Sequence, residues 1–99
     1  MYIYNVTLSI DSDIHEEWLQ WMKQVHIPDV MSTGLFTENK ICKVMAEGDS
    51  GVTYSVQYIF TEMEHYTSYQ QKHAPALQKA HSDKYKDKCV AFRTLLEIV

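Results

Sequence analysis

The chain reads as an α+β domain of order βαββαβ, a four-stranded antiparallel sheet with two helices on one face. Three observations lead there. The runs "MYIYNVTLSI", "VTYSVQYIF" and "CVAFRTLLEIV" alternate their side chains with the period of a strand. Two intervening stretches space apolar residues three and four apart, as an amphipathic helix does. The halves also resemble each other, since "YNVT" at Tyr4–Thr7 parallels "YSVQ" at Tyr54–Gln57, 50 residues on.

In the first strand Tyr4, Val6, Leu8 and Ile10 point one way and Asn5, Thr7 and Ser9 the other. "DSD" at Asp11–Asp13 offers helix caps, and Ile14, Trp18, Trp21, Met22 and Val25 form the stripe of the next element, a helix. Glu16 and Glu17 lie in its first turn, where the helix dipole favours carboxylates, and Thr33 and Gly34 close the helical region. A second strand is expected from Leu35 to Met45, then a hairpin turn in "EGDSG" at Glu47–Gly51. The third strand sets Val52, Tyr54, Val56, Tyr58 and Phe60 on one face. A helix from about Glu62 to His81, a polar connection "SDKYKDK" and a last strand complete the order. That strand carries Val90, Phe92 and Leu96 on one side, Arg93 and Glu97 on the other. Right-handed crossovers then give a ferredoxin-like arrangement with the first and third strands central.

Residues 1–99 hold one ferredoxin-like domain, since a chain of this length buries roughly 60–65% of its unfolded surface in one core. The net charge of −4 argues against nucleic-acid backbones and anionic membranes. The first residues lack a basic stretch and no apolar run is long, so neither a signal peptide nor a spanning helix is expected. Cys42 and Cys89 lack metal-site or redox spacing and read as reduced thiols of a cytoplasmic protein, with a disulfide between them left open.

The runs "MYIYNVTLSID", "HEEWLQWMKQVHIPDVMSTGLFTENKICKV", "GVTYSVQY" and "VAFRTLLEIV" carry W-x-x-W-M, H-I-P and T-G-x-F. In these the chain resembles the bacterial family called domain of unknown function 4286. The resemblance implies a small dimeric α+β barrel in which two sheets pack face to face, and it implies no activity. A more distant likeness is to small monooxygenases, isomerases and cyclases of the same barrel, some with H-x-P on their first helix. It implies a flat organic substrate held between helices and sheet.

Only two prolines occur, Pro28 and Pro75, and each follows a histidine by two residues, in "HIP" and "HAP". On an ideal wheel His26 lies about 90° from the stripe of the first helix. His73 lies at the centre of the second stripe, with Tyr66, Tyr69, Leu77 and Ala80, and should face the sheet. The plainer role for both is to fasten helices kinked by proline. The functional role places them in a cavity with Tyr4, Trp21, Tyr54, Tyr58 and Tyr69. There His73 or His26 acts as acid or base, Tyr58 or Tyr54 donates a proton, and Tyr4, Trp21, Tyr54 and Tyr69 hold a small organic, aromatic ligand. A non-catalytic dimeric scaffold or ligand sensor is the alternative. His65, His73 and His81 are eight apart and give no metal spacing, and no cofactor is expected.

RNA binding fails on the third strand, whose tyrosines share the face of Val52 and Val56 that the helices should cover. The opposite face carries Asn5, Thr7, Thr53, Ser55 and Gln57, all uncharged, with Ile3, Ile59, Ala91 and Leu95 expected beside them. A face meant for water carries more Lys and Glu, so a homodimer through the sheet faces is expected, with Arg93 near that contact.

Overall fold

The computed structural model describes residues 1–45 and 51–99. Strands β1 (Tyr2–Asp11), β2 (Glu38–Lys43), β3 (Gly51–Phe60) and β4 (Cys89–Glu97) form one antiparallel sheet in the order β2-β3-β1-β4. The longest strands, β1 and β3, are central as the alternation requires. The hairpin turn expected at Glu47–Gly51 lies, but for Gly51, outside the described residues. β2 is shorter than Leu35–Met45 because Phe36 turns into the core before the strand begins.

All helical segments cover one face. Against them lie Tyr4, Leu8, Ile10, Tyr54, Val56, Tyr58 and Phe60, forming a core with Trp18, Met22, Ile27, Val30, Phe36 and Tyr69. The first helical arm is α1 (His15–Trp21), a π-turn over Met22–His26 and α2 (Ile27–Met31). None of "DSD" caps it: β1 runs on through Asp11, and Ile14 stands at the cap position with no side-chain cap bond. The second arm is α3 (Met63–Lys72) and α4 (Ala74–Tyr85), broken at His73. It continues four residues past the expected end because Tyr85 is buried against Trp21.

Residues directly opposite in an antiparallel pair share a face. Val6 lies opposite Arg93, Leu8 opposite Ala91 and Tyr4 opposite Leu95. Ala91, Leu95 and Arg93 are therefore on the helix-covered side, not on the open face or its expected dimer contact. Val90, Phe92 and Leu96 take their place, opposite Ser9, Thr7 and Ile3. The parity was hidden because β4 is apolar in both phases, and a shift of one residue exchanges the two faces.

The open face has a polar centre and an apolar flank. Ser55 donates to Asn5 at 2.6 Å, Asn5 to Thr7 at 3.1 Å and Gln57 to Ser55 at 3.2 Å. Beside this network Val90, Phe92 and Leu96 are 71%, 62% and 42% exposed. Cys42 and Cys89 are both free thiols, on strands at opposite edges of the sheet. Three strand spacings, about 14 Å, separate those edges, twice the reach of a disulfide.

Candidate functional site

A cavity of about 240 Å³ opens between helices and sheet. Its floor is Tyr4, Val6 and Leu8 of β1, Val56 and Tyr58 of β3, and Cys89, Ala91 and Arg93 of β4. Its roof is Met22 and His26 of the π-turn, Tyr69 of α3, and Gln78, His81 and Ser82 of α4.

The π-turn is what brings His26 there. Pro28 has no amide hydrogen, and its ring crowds the carbonyl of Gln24 in an ordinary helix. The chain widens instead, and the Ile27 amide reaches back five residues to the Met22 carbonyl. The extra residue delays everything after it by about 100°. His26 takes the inward phase that Val25 would have held, and Val25 is 42% exposed rather than part of the stripe. Trp18, Met22, His26 and Val30 thus face inward at a uniform spacing of four. That drift from 3.6, together with Pro28, is the trace of the turn in the sequence.

The second arm breaks where the first widens. His73 leaves helical geometry at φ −123°, and Pro75 falls in the first turn of α4, where a missing amide costs little. The restart resets the phase, so Ala74, Leu77, Gln78, His81 and Tyr85 form the inward stripe, with Ala80 exposed. A single unbroken helix over Glu62–His81 puts His73 at the centre of the stripe. In the structure His73 is half-buried at the break, its ring stacked 6.4 Å from Tyr69, and does not line the cavity.

Two imidazoles meet in the roof, the rings of His26 and His81 lying 5.7 Å apart. Trp18 Nε1–H donates to His81 Nε2 at 2.9 Å, so that nitrogen is bare and the neutral ring carries its proton on Nδ1. Burial, then His26, then Arg93 push His81 down to about 4. Burial also lowers His26, against the opposing pull of Asp29, while Trp21 stacks on its ring at 5.2 Å. Both are therefore neutral at pH 7. Burial, then the Tyr69 and Tyr4 phenols, push the Tyr58 hydroxyl far above its ordinary range, and burial first raises Tyr69. Burial likewise raises the Cys89 thiol, leaving no thiolate for nucleophilic chemistry.

Of the residues singled out from sequence, Tyr4, His26, Tyr58 and Tyr69 line the cavity. Trp21 stands behind the imidazoles, packed on His26, His81 and Tyr85. Tyr54 does not line the cavity; its ring packs on Trp18 at 5.1 Å, and its hydroxyl meets His15 Nδ1 at 3.0 Å. His81 and Arg93 were missed, the first because the helix was read in one phase, the second because β4 was read in the wrong parity. Arg93 reaches the cavity mouth, and its Nε–H donates to the Tyr4 hydroxyl at 3.1 Å. Among the described residues no three His, Cys, Asp or Glu side chains converge as a metal site. Among the described residues no helix is long and apolar enough to cross a membrane.

The fold recurs among solved structures. A dimeric ferredoxin-like protein from an uncultured marine organism is 15% identical, with a TM-score of 0.73, covering 100% of this chain and 95% of its own. HapK from Hahella chejuensis is 7% identical at a TM-score of 0.74, covering 100% and 93%. An ethyl tert-butyl ether d (EthD) family protein from Bacillus halodurans C-125 is 9% identical at 0.69, covering 100% of both chains. At such identities the likeness concerns the fold alone. No curated protein matches the sequence. The model of one family, described as Domain of unknown function (DUF4286), matches residues 1–99.

Proposed function

The chain belongs to the DUF4286 family, whose description records no activity, and on that premise we propose that it binds a small, flat organic molecule between helices and sheet. The observation that carries this is the lining of the cavity, where Tyr4, Tyr58 and Tyr69 meet two neutral imidazoles beside the apolar Val6, Leu8, Val56 and Ala91. Aromatic walls with a few convergent polar groups favour a planar guest. Mass spectra of the purified protein, native and denatured, test it: a small molecule released on denaturation is expected. It should be absent from Ala91→Phe, which fills the floor. Equal native and denatured masses in the unmodified protein, with no response to naphthalene-sized probes, would sink the proposal.

The neutral imidazoles favour a second reading, a cofactor-independent acid/base enzyme such as a monooxygenase, isomerase or cyclase. His26, neutral at pH 7, has the form a general base requires, and Tyr58 keeps its proton as a donor. A ligand that His26→Gln still binds but no longer converts, its turnover down about 10²-fold, separates enzyme from carrier.

The proposal includes a second copy of the chain on the open sheet face. Exposed Val90, Phe92 and Leu96 beside an uncharged polar centre form a face that water solvates poorly. Two of the solved structures with this fold are described as dimeric. Light scattering at micromolar concentration should give twice the chain mass of 11.6 kDa, and Phe92→Lys should halve it. A monomer before substitution removes the dimer and leaves the cavity reading standing.

A further inference from the structure

We propose that the ligand of this cavity is an anion, a planar carboxylate or an equivalent oxyanion, anchored at the mouth by Arg93 and the Tyr4 hydroxyl. The inference rests on the reading of the cavity as a binding site and names the class of molecule that fills it.

Charge comes first. Among the lining residues Arg93 alone carries a fixed charge, and the imidazoles add none at pH 7. Its place is set by the β1–β4 register, which turns it toward the helices opposite Val6. Among the described residues the one salt bridge is Lys79–Asp83, so no carboxylate balances Arg93. Its Nε–H is committed to Tyr4, which leaves the four terminal N–H groups of the fork. A carboxylate matches that fork with two parallel bonds, which a neutral carbonyl cannot.

The hydrogen-bond inventory points the same way. Tyr4 accepts from Arg93, so its own proton is free to be given. Tyr58 and Tyr69 are 2% and 3% exposed, both line the cavity, and neither hydroxyl has a hydrogen-bond partner among the described residues. The side chains are buried but their hydroxyls open on the cavity, and these keep their protons. Trp18 occupies the acceptor nitrogen of His81, so that ring also offers only a donor. Against these donors the lining sets few groups that only accept, one nitrogen of His26 and the Gln78 carbonyl, the hydroxyls of Tyr58, Tyr69 and Ser82 being able to do either. A donor-rich cavity with one unpaired cation selects a guest that is acceptor-rich and negative.

The experiment titrates the isotope-labelled full chain at pH 7 with 2-naphthoate and with its uncharged isostere 2-naphthamide, following amide shifts of His81, Tyr58 and Ala91. Expected are shifts at these residues, naphthoate binding about tenfold tighter than naphthamide, and loss of that preference in Arg93→Gln, the worth of one charge-assisted hydrogen bond. Arg93→Lys should keep part of the preference, and Tyr4→Phe should weaken naphthoate alone. Equal affinity for acid and amide overturns the anion and leaves the cavity reading intact. Naphthoate binding that ignores Arg93→Gln also overturns it, since the charge is then held elsewhere. No response at the cavity residues to either probe overturns both.

Discussion

Pro28 and Pro75 each follow a histidine by two residues, and the helices around them respond in opposite ways. At Pro28 the backbone keeps helical dihedrals throughout and absorbs the missing hydrogen bond by widening into a π-turn. At Pro75 the backbone leaves helical geometry two residues earlier and starts again. Widening turns the motif's own histidine inward. Breaking leaves the motif's histidine at the hinge and turns inward another one, eight residues on. One local signal therefore yields two outcomes, and the choice belongs to the surface each helix packs against. Trp18 and Met22 precede the first proline and are already buried on the sheet, so the chain must stay helical to bury Ile27 and Val30. Around Pro75, Tyr69 and Ala74 can be buried from two separate segments.

The two arms are joined by Trp18, fully buried in the first and bonded to His81 of the second. Trp18→Ala should have the largest effect, a loss of about 3–5 kcal/mol in denaturant unfolding, because a large cavity opens in the core. Trp18→Phe sharpens the test by keeping most of the packing. It should cost about 1 kcal/mol and raise the His81 pKa, since the bond to the neutral form is gone. Imidazole nitrogen shifts read this directly, and unchanged shifts would refute the tautomer assigned to His81.

Acid is the next probe. His81 is pushed down to about 4 in the fold, from 6.5. Between those values the unfolded chain binds a proton that the folded one does not, so stability falls as pH is lowered from about 6.5 to 4 and is full above that window. Solvent at the half-exposed ring screens the effect, leaving about 1–2 kcal/mol. His81→Gln should flatten the slope, and an equally steep slope in that variant would assign it to other groups.

The smallest effects come from the prolines. Pro28→Ala restores an amide hydrogen, and the first arm should tighten to a regular helix, removing the ring-current shift that Trp21 imposes on His26. The stability change should stay within about 1 kcal/mol. Survival of that shift would mean that the buried residues at 18, 22, 26 and 30 impose the π-turn without the proline. Pro75→Ala should change stability less and leave the break at His73, because its ring already sits in a helix's first turn.

Strand and helix identities were legible because alternation in β1 and β3 follows from one face being buried, a constraint written into every second residue. Tyr4, Tyr58, Tyr69 and His26 could be named in advance, although His26 reaches the cavity through a turn the ideal wheel does not contain. His81 and Arg93 were illegible for one shared reason, a phase. α4 takes its phase from a break at His73, and β4 takes its parity from pairing with β1; neither segment carries a contrast of polar and apolar faces sharp enough to declare it.

By itself the sequence determined the order βαββαβ, the central pair of strands, the buried face of each and the uncharged centre of the open face. Periodic burial imposes these locally, residue by residue. Only the tertiary structure decided which residues meet in the cavity. A one-residue shift in a strand exchanges its faces, an extra residue in a helix turn rotates every later side chain by about 100°, and both shifts are settled by packing against partners distant in the chain.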